Sequence, residues 1–403
     1  MKKQLIIAGL FLGGMTFTSC SSDDTPLDDN QVEIPQNYSF SRSGSTTVSF
    51  SGQTTRILMV KEMSSAFLDF ENTTEASLSN MFSNQNSPFS SADLNQSDKS
   101  VKSKTAASED YFSTNSVESN SIKADFESFI SGQFNEVVPN ENILASAGVA
   151  GQIADGSSVR YVNSQGLEYN QAFAKGLIGA LLTDQILNNY LSPLVLDSGD
   201  NVLLNNAGTV EEGKNYTTME HKWDEAYGYL YGDPSIPEAD PNSALSSNND
   251  KLLFNYLAKV NEDPDFAGIA DALFNAFITG RAAIVAKNYE VRDQQIAIIK
   301  ENISKVIAIR AVYYLQKGKT AMAEGNLGDA FHQLSEGYGF IYSLRFTQNP
   351  DTDLPYFSTS QIEDFKNQLL NGNGFWDVTP TTLDSISAEI AAAFGFSVEQ
   401  AAP

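Results

Sequence analysis

The chain has 403 residues, 50 of them acidic against 25 basic, for a net charge of −25. That balance excludes nucleic acid as a partner, because its phosphates would be repelled. The 41% hydrophobic share can bury a core, while one cysteine and two histidines exclude a mature disulfide, a cysteine metal site and a three-histidine zinc site.

Lys2 and Lys3 precede a short apolar run over 5–17, and Thr18 and Ser19 are small residues just before Cys20. This predicts a secretory signal over 1–20, too short to span a membrane. Residues 21–35 are polar and acidic, with Pro26 and Pro35, and read as a tether. Alternation over 38–42 and 46–51, around Ser43-Gly44-Ser45, predicts a small β-hairpin. Helical spacing follows over 54–70. The Ser- and Asn-rich stretch 71–116 is expected to be irregular, with one short helix near 78–82.

A helix is predicted over 121–134 and a short strand over 158–163, with Gly148, Gly151 and Gly156 marking turns. Residues 168–191 form the first long helix, apolar nearly all round and so central; Ser192-Pro193 ends it. Residues 192–215 read as a loop, in which Asp197 to Asn201 lacks the spacing of a calcium loop. A helix over 217–231 starts at a Thr217 or Thr218 cap. The proline-bearing stretch 232–247 reads as a linker. Helices follow over 250–260, 265–286, 291–317, 320–346, 360–370 and 383–394, and Gly318 is expected to end the one over 291–317.

The two histidines open two similar segments, His221 to Tyr231 and His332 to Tyr342. Both read His-x-x-x-Glu-x-Tyr-Gly-aromatic-aliphatic-Tyr. On a helix this places His221, Glu225 and Gly228 on one face, and His332, Glu336 and Gly339 likewise. Trp223, Tyr227 and Tyr231 point the other way, as do Leu334, Tyr338 and Tyr342, and form a core face. Each mid-helix glycine costs ~1 kcal/mol relative to alanine, which implies that another backbone or a ligand approaches closely. The repeat predicts a mainly α fold of duplicated helical bundles with a small N-terminal hairpin, split into halves at 36–240 and 241–403.

The segment before and at Cys20 resembles the lipobox of bacterial lipoproteins, and Ser21-Ser22-Asp23-Asp24 resembles the surface-export signal of Bacteroidetes lipoproteins. These resemblances imply a lipid on Cys20 and attachment to the outer membrane, facing the cell surface. Met219-Glu-His-Lys-Trp-Asp-Glu-Ala-Tyr-Gly-Tyr-Leu230, with Lys175-Gly-Leu-Ile-Gly-Ala-Leu181 and Asp184-Gln-Ile-Leu-Asn-Asn-Tyr-Leu191, resembles an uncharacterised Bacteroidetes lipoprotein family distantly similar to imelysins. That resemblance covers about 36–395. It implies paired helical bundles and an accessory role in iron acquisition, with an outer-membrane receptor or an imelysin as partner.

The imelysin signature is Gly-x-His-x-x-Glu. Met219, His221 and Asp224 stand at its three positions here, and Ser335 replaces the acid in the second copy. The resemblance therefore implies a site for iron or another divalent metal at His221, Asp224 and Glu225, joined by Glu168 or Glu220. His332 and Glu336 form a secondary site. Two alternatives stay open. In one, the histidines are core residues oriented by a carboxylate, and the chain is a surface binding module for protein, peptide or glycan. A metallopeptidase is the other, although no His-Glu-x-x-His and no Gly-x-Ser-x-Gly motif is present.

Overall fold

In a computed structural model the described residues are 31–403. The expected signal segment 1–20, the expected acyl site Cys20 and most of the expected tether 21–35 lie outside them. The expected hairpin is small: β1 (Ser41–Arg42) pairs antiparallel with β2 (Ser45–Thr46). Ser43 and Gly44 turn the chain with positive φ. Helix α1 follows at Ser51–Ala66.

The stretch expected to be irregular holds four short helices, α2 (Glu75–Ser83), α3 (Ala92–Gln96), α4 (Val101–Lys104) and α5 (Glu109–Phe112). Serine and threonine are poor helix formers but good caps. Here Thr74 and Ser100 accept the backbone N–H groups of Ser77 and Ser103, so the residues that suggested a loop start helices instead. Next come α6 (Ser116–Gly132) and a hairpin of β3 (Gly151–Asp155) with β4 (Ser158–Val162). The predicted single strand is the second arm of that hairpin.

The central helix starts as α7 (Tyr169–Leu177) and continues to Tyr190 through π-helical turns at Ile178–Thr183 and Ile186–Tyr190. It is buried along nearly its whole length, as its apolar sequence implied. Its one buried acid, Asp184, accepts from the backbone N–H groups of Ala107 and Ser108 and from the Ser108 hydroxyl. Burial pushes this carboxyl up to about 6.

The supposed loop after it contains α8 (Pro193–Leu196) and α9 (Asn201–Ala207). Then come α10 (Thr218–Tyr231), α11 (Leu253–Glu262), α12 (Ile269–Val285), α13 (Tyr289–Ala323), α14 (Leu327–Ser343), α15 (Thr359–Leu369), α16 (Pro380–Ala393) and α17 (Val398–Ala401). The fold is mainly α, with β structure confined to small hairpins among the described residues. Buried residues from Tyr38 to Ala401 form one contiguous hydrophobic cluster.

Gly318 does not end α13, which runs on to Ala323. A Cβ at Gly318 would lie 2.6 Å from Leu334 Cδ2, so this glycine lets α14 pack close against α13. The stop falls at Gly325, whose φ of +76° lies in the left-handed region. Asn326 then caps α14 by accepting from the Asp329 N–H. No helix among the described residues is long and apolar enough to cross a membrane.

Candidate functional site

Helix α10 begins with a capping box: the Thr217 hydroxyl accepts from the Glu220 N–H, and the Glu220 carboxylate accepts from the Thr217 N–H. Trp223 fills the core and donates from Nε1 to the Phe277 carbonyl at 3.0 Å. Tyr227 stacks on Tyr38 with ring centres 3.6 Å apart. Gly228 is where α1 crosses, since a Cβ there would meet Phe50 Cβ at 2.4 Å. In α14, a Cβ on Gly339 would meet Lys175 Cβ of α7 at 2.4 Å. Both glycines therefore admit a neighbouring helix.

The four residues of the inferred metal set do not converge. Asp224 faces inward, fully buried, accepting from Tyr38 at 2.7 Å, from Arg281 Nε at 3.0 Å and from the Ser49 N–H at 3.2 Å. Burial pushes its carboxyl up to about 6, although Arg281 opposes the shift. Glu220 is held by Arg42 and Arg281. Glu168 lies beside the other histidine, its Oε2 2.7 Å from His332 Nδ1. Only His221 and Glu225 share a face, with Nε2 and Oε2 4.0 Å apart.

Around that pair the contacts are protein-made. His221 stacks on Tyr216 at 4.5 Å, and burial lowers its pKa. Glu225 accepts from Lys222 at 2.8 Å and Gln53 at 3.1 Å. Burial would raise this carboxyl, yet Lys222 and His221 hold it below its usual range. Among the described residues no group of three or more His, Cys, Asp or Glu side chains could hold a metal ion. One histidine and one already paired carboxylate do not fit a resident metal.

The second copy sits differently. Ser335, at the position of Asp224, accepts from the backbone N–H of Glu168 and so fixes the start of α7. The Glu168 carboxylate is then placed to take the Nδ1 side of His332, with Nε2 3.9 Å from Glu336. Glu336 is paired with Lys175 Nζ at 3.2 Å. Burial would push Glu336 up, but Lys175 and His332 hold its carboxyl below the usual range.

His332, Glu336 and Lys175 line a cavity of about 390 Å³ bounded by α7, α11, α13 and α14. Lys175, Lys251, Lys259 and Arg310 supply four positive charges to its wall, and Glu336 the one negative charge. Arg310 is 6% exposed. Its guanidinium carbon sits 4.0 Å from the Tyr313 ring centre, 4.5 Å from Tyr314 and 5.5 Å from Tyr256. Its Nε has no hydrogen-bond partner, and among the described residues no carboxylate pairs with it.

Sequence reasoning singled out His332 and Glu336 but missed the cations. One signal was available. Lys251, Asn255 and Lys259 recur every fourth residue, which puts them on one face around α11. Nothing in the sequence says that this face meets Arg310 and Lys175.

The family described as a domain of unknown function, DUF4856, matches residues 35–397. No curated protein matches the chain, and no solved structure does.

Proposed function

The chain belongs to the DUF4856 family, and we propose that it is a ligand-capturing module whose ligand is an anion bound in the cavity of α7, α11, α13 and α14. One observation carries this reading. Arg310 is a buried cation that neighbouring rings cradle but no carboxylate neutralises. A buried charge is expensive unless it is paired. A carboxylate, sulfate or phosphate entering from solvent would supply the missing partner and accept a charge-assisted bond. The local excess of cations would gather such ligands despite the acidic chain as a whole.

Calorimetric titration with sulfate, citrate and galacturonate, against glucose, tests the reading. All three anions should bind, glucose should not, and affinity should fall with added salt. Arg310→Met keeps the apolar stem and should weaken binding by about tenfold or more. Lys259→Glu, on an exposed position, should weaken it without touching the core. Anion affinity unchanged in both variants ends the proposal.

The outer-membrane location through a lipid on Cys20, facing the cell surface, belongs to the same reading: a capture module needs an anchor. Retention of Cys20→Ala in the membrane fraction would contradict it. Two shared features of α10 and α14, a glutamate one turn after the histidine and a close neighbour at the glycine, support descent of the two helices by duplication. Distant kinship with imelysins rests on the His221 motif alone. An iron role would need donors beyond His221 and Glu225. A His221→Ala/Glu225→Ala variant with unchanged iron affinity would remove it.

A further inference from the structure

We propose that the ligand is an acidic oligosaccharide lying across two adjoining cavities; this rests on the anion-binding reading above. A second cavity, of about 220 Å³, opens between α1 and α7. It shares Lys175 and Lys251 with the first, so the two cavities adjoin at these two cations. A single small anion would need only the Arg310 end. A groove with cations at its far end and at its junction fits a chain that carries charge at more than one unit.

The lining points to sugar. The second cavity offers Asn170 and Gln171, whose amides can donate to and accept from ring hydroxyls, and Ser64 and Ser65, whose hydroxyls donate to the Val60 and Lys61 carbonyls and keep lone pairs to accept with. Nucleic acid fits poorly. Arg310 already covers the Tyr313 and Tyr314 rings, at 4.0 and 4.5 Å, so no free face is left there to stack a base. An acidic peptide fits poorly too. The walls are helices, whose backbone groups are paired internally, and no strand edge is there for a peptide to extend.

The probes are oligogalacturonates of one to four units, a chondroitin sulfate tetrasaccharide, neutral cellotetraose and tetraglutamate, titrated calorimetrically at about 150 mM salt. Affinity should rise at least about tenfold from one unit to four. Tighter binding of the oligogalacturonate identifies the acid as carboxylate, and tighter binding of the chondroitin sulfate, which carries both acids, identifies an added sulfate contact. Asn170→Asp places a like charge in the second cavity only, near a helix start that tolerates it. It should cancel the gain with length and leave the one-unit affinity unchanged. Equal affinity at all lengths, tighter binding of tetraglutamate, or equal binding of cellotetraose would overturn the oligosaccharide while leaving the anion pocket standing. Failure of sulfate and of the single uronate to bind would instead remove the anion pocket itself.

Discussion

The two histidine helices carry one sequence pattern and reach opposite electrostatic states. Beside α10, Arg56 is buried but satisfied: its Nε donates to the Ser100 carbonyl at 3.0 Å and its Nη1 to the Gly52 carbonyl at 3.3 Å. Beside α14, Arg310 is buried and its Nε donates to nothing. Glu225 is held by Lys222 of its own helix and by Gln53, whereas Glu336 is held by Lys175 from α7. Asp224 ties α10 to the N-terminal segment and α12, whereas Ser335 turns its hydroxyl to the start of α7. The first helix spends its carboxylates on holding the fold and leaves only His221 Nδ1 as a buried atom without a partner among its described side-chain nitrogens, and the second leaves charge facing a cavity. The lesson is that a motif sets which side chains are offered, and the neighbours decide whether any remain free.

The comparison breaks most sharply at Asp224. Replacing it with alanine removes one of the two acids paired with Arg281, which is fully buried, and the partner of the Tyr38 hydroxyl, and should cost about 3–5 kcal/mol in denaturant unfolding. The matched Ser335→Ala should cost only about 1–2 kcal/mol, since both bonds lost, from the Glu168 N–H and to the Phe331 carbonyl, are neutral. A smaller loss at Asp224 than at Ser335 would reverse the assignment of structural and open sites.

Asp184, on the central helix between the two sites, tests burial through pH. Its folded carboxyl titrates at about 6 against an ordinary value of 3.8. The folded state therefore holds the proton over a window where the unfolded state has released it. Stability from this group is largest below about 4 and falls as pH rises towards 6, by on the order of 2–3 kcal/mol. Unfolding midpoints of wild type and Asp184→Asn should converge in acid and diverge by neutrality. Parallel profiles would refute this.

Gly228→Ala and Gly339→Ala both force a Cβ into a crossing helix and should each lose about 1–3 kcal/mol. They should differ in binding. Gly339→Ala presses on Lys175 and should also weaken anion affinity, whereas Gly228→Ala presses on Phe50 and should not. Equal effects on affinity would dissolve the distinction between the sites.

The smallest stability effect is expected at the arginines. Arg310→Met removes an unpaired buried cation and should leave stability within about 1 kcal/mol of wild type or raise it. Arg56→Met leaves two carbonyls short of a donor and should cost about 1–3 kcal/mol. Unfolding curves of the two variants, measured together, check the pair.

Much of the architecture was legible along the chain. Periodicity of 3.6 located the long helices, and the Thr217 cap and the buried central helix followed from residue types alone. The short helices between 75 and 112 were not legible. Their serines and asparagines favour loops and caps alike, and only packing against α1 and α6 settles which. The end of α13 was misread at Gly318 because a glycine that stops a helix and one that admits a neighbour look the same in a string.

The candidate site was legible only in part. Sequence alone determined that His332 and Glu336 share a face, because i and i+4 spacing is a property of one helix. It also determined the acidic balance against which any basic cluster stands out. Tertiary structure decided that Glu168, 164 residues from His332, completes its hydrogen bond, that Asp224 is spent on Arg281, and that Lys175, Lys259 and Arg310 meet around one cavity. These three cations come from three different helices. No local spacing encodes such a meeting, because it depends on how those helices cross.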